Sequence, residues 1–137
     1  MSTHLKDKEE KIQQIIAKLT EESTKGTLIV VEGKKDAETL RALGVEGPVL
    51  MVKTGGKSFL DAAAEIEQSD TQKVVLLLDF DRRGREGTKR LKLDLERIKI
   101  KPNVKFWHEL YGLVGREVQC IESLPSYLET LKDKISA

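Results

Sequence analysis

Residues 28–33 read Leu-Ile-Val-Val-Glu-Gly, and residues 74–81 read Val-Val-Leu-Leu-Leu-Asp-Phe-Asp. Each stretch joins an unbroken apolar run directly to one or two acidic residues. Unbroken apolar runs of this length are typical of strands buried on both faces, as in a parallel sheet that is covered by helices. The two stretches therefore predict two strands of one covered sheet, each followed by a carboxylate.

Weaker strand signals alternate with helical patterns in the rest of the chain. Two further strands are predicted at residues 49–52 and 104–107, each shortly after a proline. Amphipathic helices are predicted from apolar residues at helical spacing within residues 37–43 before Gly44, residues 58–68 with a Ser58–Asp61 capping box, residues 91–98 and residues 124–135. Alternating strands and helices favour right-handed βαβ units, so we predict an α/β sandwich of about four mainly parallel strands.

The N-terminal segment has a pattern of its own. Apolar residues between Ile12 and Leu19 repeat at the spacing of one helical face, and residues 23–26 break the pattern. We therefore predict an amphipathic helix over residues 4–22, in an N-terminal segment 1–25. A single domain with a C-terminal helical extension is predicted over residues 26–137. The N-terminal helix either docks on that domain or pairs with a second copy of the chain.

The composition excludes several classes of protein. The chain has 137 residues, with 24 Lys and Arg against 23 Asp and Glu, so the totals exclude a strongly cationic nucleic-acid coat. No apolar run reaches the roughly 18 residues of a membrane span, and the first ten residues are too polar for a secretory signal. The single cysteine, Cys120, can form neither an internal disulfide nor a cysteine zinc site. We therefore expect a soluble cytoplasmic protein.

The acidic residues that follow the two strong strands predict a metal site. Because carboxyl ends of parallel strands meet at one sheet edge, where ligands of open α/β sheets bind, Glu32, Asp79 and Asp81 should converge there. Three close carboxylates repel each other, and a divalent cation such as Mg²⁺ removes that repulsion. Asp79 and Asp81 leave an extended backbone on the same side and suit a shared ion. Glu32 would hold a second ion or move protons at a phosphodiester.

Glycines and basic residues flank these carboxylates. Gly33 and Gly84 are expected to allow tight turns from strand to helix. The basic residues nearest the acids are expected to hold phosphate, and they are Lys34, Lys35, Arg82, Arg83 and Arg85. Lys57 follows a glycine pair and is a further candidate, although Met51 stands where a P-loop needs its first glycine. Residues 82–101 carry nine basic side chains, which predicts contact with a nucleic-acid backbone rather than base stacking.

In these motifs the chain resembles the Toprim domain, which is shared by topoisomerases, bacterial-type primases, overcoming-lysogenization-type nucleases and recombination-mediator proteins. The resemblance covers about residues 26–108. The matching residues follow two hydrophobic strands, and they are Glu32, Gly33 and Asp36 after the first, and Asp79, Asp81, Arg82 and Gly84 after the second. The whole chain is similar to the small stand-alone Toprim proteins of archaea and some bacteria.

The resemblance implies a Rossmann-like three-layer sandwich and chemistry at nucleic-acid phosphodiesters. It implies Glu32 as general acid or base, and Asp79 and Asp81 as ligands of Mg²⁺, for which Mn²⁺ can substitute. Gly33, Asp36 and Gly84 would support the site, and the implied partner is DNA or RNA, bound by a homodimer or within a larger nucleic-acid-processing complex. No topoisomerase tyrosine context or primase zinc ribbon accompanies these motifs, so nuclease or nucleotidyl-transfer chemistry is expected. A non-catalytic nucleic-acid-binding module and a small-molecule phosphotransfer enzyme stay open as alternatives.

Overall fold

The computed structural model describes residues 3–53 and 59–137. Lys57 and the Ser58 end of the predicted capping box lie outside these residues. Helices and strands alternate along the described chain, which also contains a short 3₁₀ turn at Ile121–Ser123. The elements are α1 (Thr3–Thr24), β1 (Leu28–Val31), α2 (Lys34–Ala42), β2 (Val49–Met51), α3 (Phe59–Gln68), β3 (Val74–Leu76), α4 (Arg82–Arg97), β4 (Pro102–Asn103), α5 (Lys105–Val114) and α6 (Leu124–Ser136).

The four strands form one parallel sheet in the order β2-β1-β3-β4. In the central pairings, Ile29 of β1 lies opposite Val49 of β2 on one side and Val75 of β3 on the other. The predicted α/β fold with about four parallel strands is confirmed. Because the chain moves outward from β1 in both directions, the ends of β1 and β3 adjoin at the point where the strand order reverses.

Helices cover both faces of the sheet and give it three layers. Ile29 and Val75 point to a core that they share with α1, α2, α5 and α6. Val30 and Leu76 point to the opposite core, which α3 and α4 complete. All residues of β1 and β3 are buried, because alternate side chains enter alternate cores. Burial on both faces explains why both strands are encoded by unbroken apolar runs.

The N-terminal helix packs on the rest of the chain. Its predicted apolar face, from Ile12 to Leu19, is buried in the same core as one face of the sheet, and α1 contacts α5 and α6. Of the two roles predicted for this helix, docking is therefore the one that the structure shows. Neither α1 nor any other helix within the described ranges is long and apolar enough to cross a membrane.

The prediction of a strand over residues 104–107 is wrong. β4 is only two residues long and ends at Asn103, and α5 begins at Lys105. The Asn103 side-chain oxygen accepts a hydrogen bond from the Lys105 backbone N–H at 2.8 Å, a local contact that favours a turn over a continuing strand. Phe106 and Trp107, whose types favour strands, are buried on the inner face of α5 instead.

Candidate metal centre

Glu32 lies just beyond the carboxyl end of β1 and is only 2% exposed. Its Oε1 accepts a hydrogen bond from the Asp79 backbone N–H at 3.2 Å, and its Oε2 lies 3.1 Å from the Lys53 Nζ. A buried carboxylate requires partners of this kind, because burial removes its hydration. The two contacts hold the Glu32 side chain between the ends of β1 and β3.

Asp79 and Asp81 occupy the turn from β3 into α4. Asp81 is the N-cap of α4, and its Oδ1 accepts a hydrogen bond from the Gly84 backbone N–H at 2.8 Å. Glu32, Asp79 and Asp81 each offer a carboxylate oxygen, and these oxygens lie within 4.8 Å of one another. The structure thus brings together the three carboxylates that the sequence singles out, at the reversal point of the sheet.

The electrostatics of this cluster favour a cation. The pKa of Asp79 is raised from 3.8 to about 7, mainly by burial and then by the nearby carboxylates of Glu32, Asp36 and Asp81, against the opposing effect of Lys53. The hydrogen bond to Glu32 is the main reason why the pKa of Lys53 is raised. All three converging donors are hard carboxylate oxygens, the ligand type that Mg²⁺ and Mn²⁺ prefer. The residues present therefore fit a divalent metal ion.

Lys53 belongs to this centre, and the sequence prediction missed it. It follows β2, and its Nζ lies 4.0 Å from Asp79 Oδ2 as well as 3.1 Å from Glu32 Oε2. Its backbone N–H donates to the Glu32 carbonyl oxygen at 2.8 Å, so the pairing of β1 and β2 continues beyond the strand ends. A signal was available, because Lys53 follows a predicted strand of the same sheet just as Glu32 and Asp79 follow theirs.

Asp36 and Gly84 shape the backbone around the carboxylates. Asp36 is 6% exposed, and its two carboxylate oxygens accept hydrogen bonds from the backbone N–H groups of Gly33 at 3.2 Å and Glu122 at 2.9 Å. Asp36 thereby ties the start of α2 to the C-terminal segment. A Cβ at Gly84 would overlap the Asp79 carbonyl oxygen, so only glycine allows this approach of α4 to the strand end. Gly33 has an extended backbone that any residue adopts, and the expected need for glycine in that turn is wrong.

The basic residues predicted to hold phosphate lie in the first turns of α2 and α4. Lys34 and Lys35 are exposed at the start of α2, and the Lys35 Nζ lies 3.9 Å from an acidic side chain of the C-terminal segment. Arg82 and Arg83 are exposed at the start of α4, where Arg82 forms an ion pair within its own helix at 3.1 Å. These four residues start the two helices that follow Glu32 and Asp81, and Lys57 lies outside the described residues.

Arg85 contacts the turn between β3 and α4 instead of projecting into solvent like the other four basic residues. Its guanidinium donates to the Phe80 carbonyl oxygen at 3.1 Å and lies 5.8 Å from the centre of the Tyr111 ring. Phe80 separates Asp79 from Asp81, is 1% exposed and packs into the core. Trp107 donates its indole N–H to the Leu78 carbonyl oxygen at 2.9 Å. Side chains from α5 thus support the strand end from which the aspartates project.

The segment after α5 closes one side of the centre. The Phe80 backbone N–H donates to the Gln119 carbonyl oxygen at 2.7 Å, which fastens this segment to the turn after β3. Cys120 follows, and its sulfur lies within 4.8 Å of carboxylate oxygens of Asp36 and Asp79. The sequence prediction gave Cys120 no role, and the structure places it at the border of the acidic cluster.

The chain is similar to known proteins over the region that contains both acidic motifs. The family model of the Toprim domain matches residues 27–106, a range that contains Glu32, Asp79 and Asp81. A UPF0292 protein of Methanocaldococcus jannaschii is 38% identical over 120 residues, which cover 87% of this chain and 91% of that protein. A UPF0292 protein of Pyrococcus furiosus is 35% identical over 123 residues, which cover 90% of this chain and 88% of the relative.

A solved structure supports the fold. A protein from Aquifex aeolicus superimposes with a TM-score of 0.66 at 24% identity, covering 80% of this chain and 94% of the other. At this identity the likeness concerns the fold alone. The family match spans more than half of the chain, and the archaeal relatives are similar over nearly their whole length. The chain therefore belongs to the Toprim domain family.

Proposed function

We propose that this protein is a Mg²⁺-dependent Toprim-type protein that acts on nucleic-acid phosphodiesters by nuclease or nucleotidyl-transfer chemistry. The observation that carries the proposal is the convergence of carboxylate oxygens from Glu32, Asp79 and Asp81 within 4.8 Å, at the reversal point of a parallel sheet. Family membership supports a metal-dependent function related to nucleic acids.

Asp79 and Asp81, together with Glu32, are the residues that would hold the metal ion. A bound divalent ion would neutralise their charge and polarise a phosphate oxygen. The hydrogen bond from the Gly84 N–H to Asp81 Oδ1 fixes the orientation of the Asp81 carboxylate. The backbone N–H of Asp79 does the same for Glu32. The cluster is therefore organised by contacts that do not depend on a metal.

Glu32 and the exposed basic residues at the starts of α2 and α4 would supply proton transfer and phosphate binding. In the catalytic scheme, Glu32 would take up or release a proton at a phosphodiester oxygen. Lys34, Arg82 and Arg83 are exposed beside the cluster, where their charges would attract the backbone phosphates of DNA or RNA. Contacts of this kind carry little sequence information, so binding should be weakly sequence-specific and sensitive to salt.

The test is a cleavage and extension assay on labelled single- and double-stranded DNA and RNA, with Mg²⁺ or Mn²⁺. We expect the wild-type protein to convert at least one substrate and Glu32→Gln to lose about 100-fold or more of that activity, the usual worth of a positioned acid or base. Glu129→Gln, an exposed position on α6, is the matched control and should retain wild-type activity. Equal turnover by Glu32→Gln and wild type would overturn the assignment of Glu32.

A second candidate function is a non-catalytic nucleic-acid-binding module within a larger complex. The observation that favours it is the burial of Glu32, which is only 2% exposed. Its two carboxylate oxygens contact the Lys53 Nζ and the Asp79 backbone N–H. Both Glu32 oxygens already contact a donor, so the carboxylate has a supporting role in this conformation that requires no proton transfer. Salt-sensitive binding that Glu32→Gln leaves unchanged, with no turnover of any substrate, would favour the module over the enzyme.

A further inference from the structure

Lys53 differs from the other basic residues around the acidic cluster because it reaches into it. Its Nζ lies 3.1 Å from Glu32 Oε2 and 4.0 Å from Asp79 Oδ2. The Lys53 side chain is 45% exposed, whereas Glu32 is 2% exposed. Lys53 therefore extends from a solvent-facing strand end to two of the carboxylates that would hold a metal ion.

The position of the ammonium group has an electrostatic reason. A buried carboxylate is strongly destabilising unless an opposite charge or a hydrogen bond compensates it. Within residues 3–53 and 59–137, Lys53 is the basic side chain that forms ion pairs with Glu32 and Asp79. An ammonium and a divalent ion at the same carboxylate oxygens repel each other, so each weakens the binding of the other.

We propose that Lys53 is a built-in counter-ion of the acidic centre, which holds Glu32 and Asp79 when no metal is bound and which a divalent ion displaces. The inference rests on the proposed function, because it takes these carboxylates as metal ligands. Lys53 is a positioning residue in this scheme. It keeps the Glu32 carboxylate in place before the metal arrives, and its displacement lowers the affinity of the centre for the ion.

The experiment must separate displacement of a contact from a general effect of charge. Removing any nearby positive charge strengthens cation binding, but salt screens that long-range effect, and at 0.15 M the Debye length is about 8 Å. Lys34→Met removes an exposed charge two residues from Glu32 and serves as the matched control. Lys53→Arg keeps the charge at the position in question.

Isothermal titration with Mn²⁺ at 0.15 M salt gives the first result. We expect Lys53→Met to bind Mn²⁺ on the order of ten-fold more tightly than wild type, because the ion no longer competes with a close charge pair. Lys34→Met should gain less than about three-fold, since its charge is exposed and screened. Lys53→Arg should bind no more tightly than wild type.

Thermal unfolding with EDTA and with saturating Mn²⁺ gives the second result. Without metal, Lys53→Met should melt roughly 4 °C below wild type, because Glu32 loses its counter-ion, and the gap should close with metal bound. A gap that persists in saturating Mn²⁺ would show that Lys53 is structural and overturn the displacement. Equal Mn²⁺ affinities for Lys53→Met and Lys34→Met would overturn the inference and leave the metal site standing. Absence of Mn²⁺ binding in every variant would overturn the metal site as well.

Discussion

Replacing Asp79 by asparagine should stabilise the metal-free protein at alkaline pH, even though Asp79 is central to the proposed metal site. Burial and the surrounding carboxylates raise the pKa of Asp79 to about 7 in the folded protein, against 3.8 for an ordinary aspartate. The folded protein therefore keeps this proton over a range in which the unfolded chain has lost it. The contribution of Asp79 to stability is present below about pH 4 and is lost as the pH rises to about 7.

The size of this effect follows from the shift in pKa. A shift from 3.8 to about 7 corresponds to about 4 kcal/mol at roughly 1.4 kcal/mol per unit, which is an upper bound. The Asp79 side chain is 15% exposed, and solvent screens part of the repulsion from its neighbours. We therefore expect about 2 kcal/mol, so metal-free Asp79→Asn should be more stable than wild type by this amount at pH 8 and equal to it at pH 4.

The assay is urea unfolding with EDTA at pH 4 to 8, followed by circular dichroism. Asp94→Asn is the matched control, because Asp94 is a buried aspartate, 6% exposed, that pairs with Arg90 at 3.4 Å and Arg97 at 3.5 Å. That variant loses favourable partners and should be less stable than wild type at pH 8. An Asp79→Asn protein that is less stable than wild type at pH 8, or that loses stability between pH 4 and 7 as wild type does, would refute the reasoning.

Two further predictions concern the support of the centre. Gly84→Ala should lose about 1 to 3 kcal/mol of stability and most of its Mn²⁺ affinity, because the added Cβ overlaps the Asp79 carbonyl oxygen. Urea unfolding will measure the stability, and a Mn²⁺ titration will measure the affinity. Gly112→Ala is its control, since a Cβ there meets nothing within 4 Å on α5, and it should be neutral or stabilising by up to about 1 kcal/mol. Trp107→Phe should lower the free energy of unfolding, measured in urea, by about 1 to 3 kcal/mol, because the Leu78 carbonyl oxygen loses its donor. A decrease below about 0.5 kcal/mol would contradict this prediction.

The sheet could be predicted from sequence because its central strands are encoded locally. β1 and β3 are buried on both faces, and such strands leave unbroken apolar runs. β4 left no such signal, because only Pro102 and Asn103 pair with β3. The apolar run that follows belongs to α5, where Phe106 and Trp107 face the core. Tertiary burial outweighed the strand preference of these two aromatic residues.

The acidic centre was predictable to the extent that strand ends determine it. Glu32 and Asp79 lie 47 positions apart and still meet, because β1 and β3 are neighbours with a shared direction. Lys53 likewise follows a strand of this sheet, but a protonated lysine is not a metal ligand, so the expectation of a metal site did not include it. Asp36 meets Glu122 across 86 positions, and that contact depends on the path of the chain after α5, which no periodic pattern in the sequence encodes.

The central claim is that Glu32, Asp79 and Asp81 share one divalent ion, and anomalous diffraction from a crystal soaked in Mn²⁺ tests it most directly. We predict an anomalous peak about 2.0 to 2.2 Å from carboxylate oxygens of these residues, and no peak there in crystals of the Asp79→Asn, Asp81→Asn double variant. A well-ordered wild-type centre without such a peak at saturating Mn²⁺, with Lys53 still in contact with Glu32, would contradict the account.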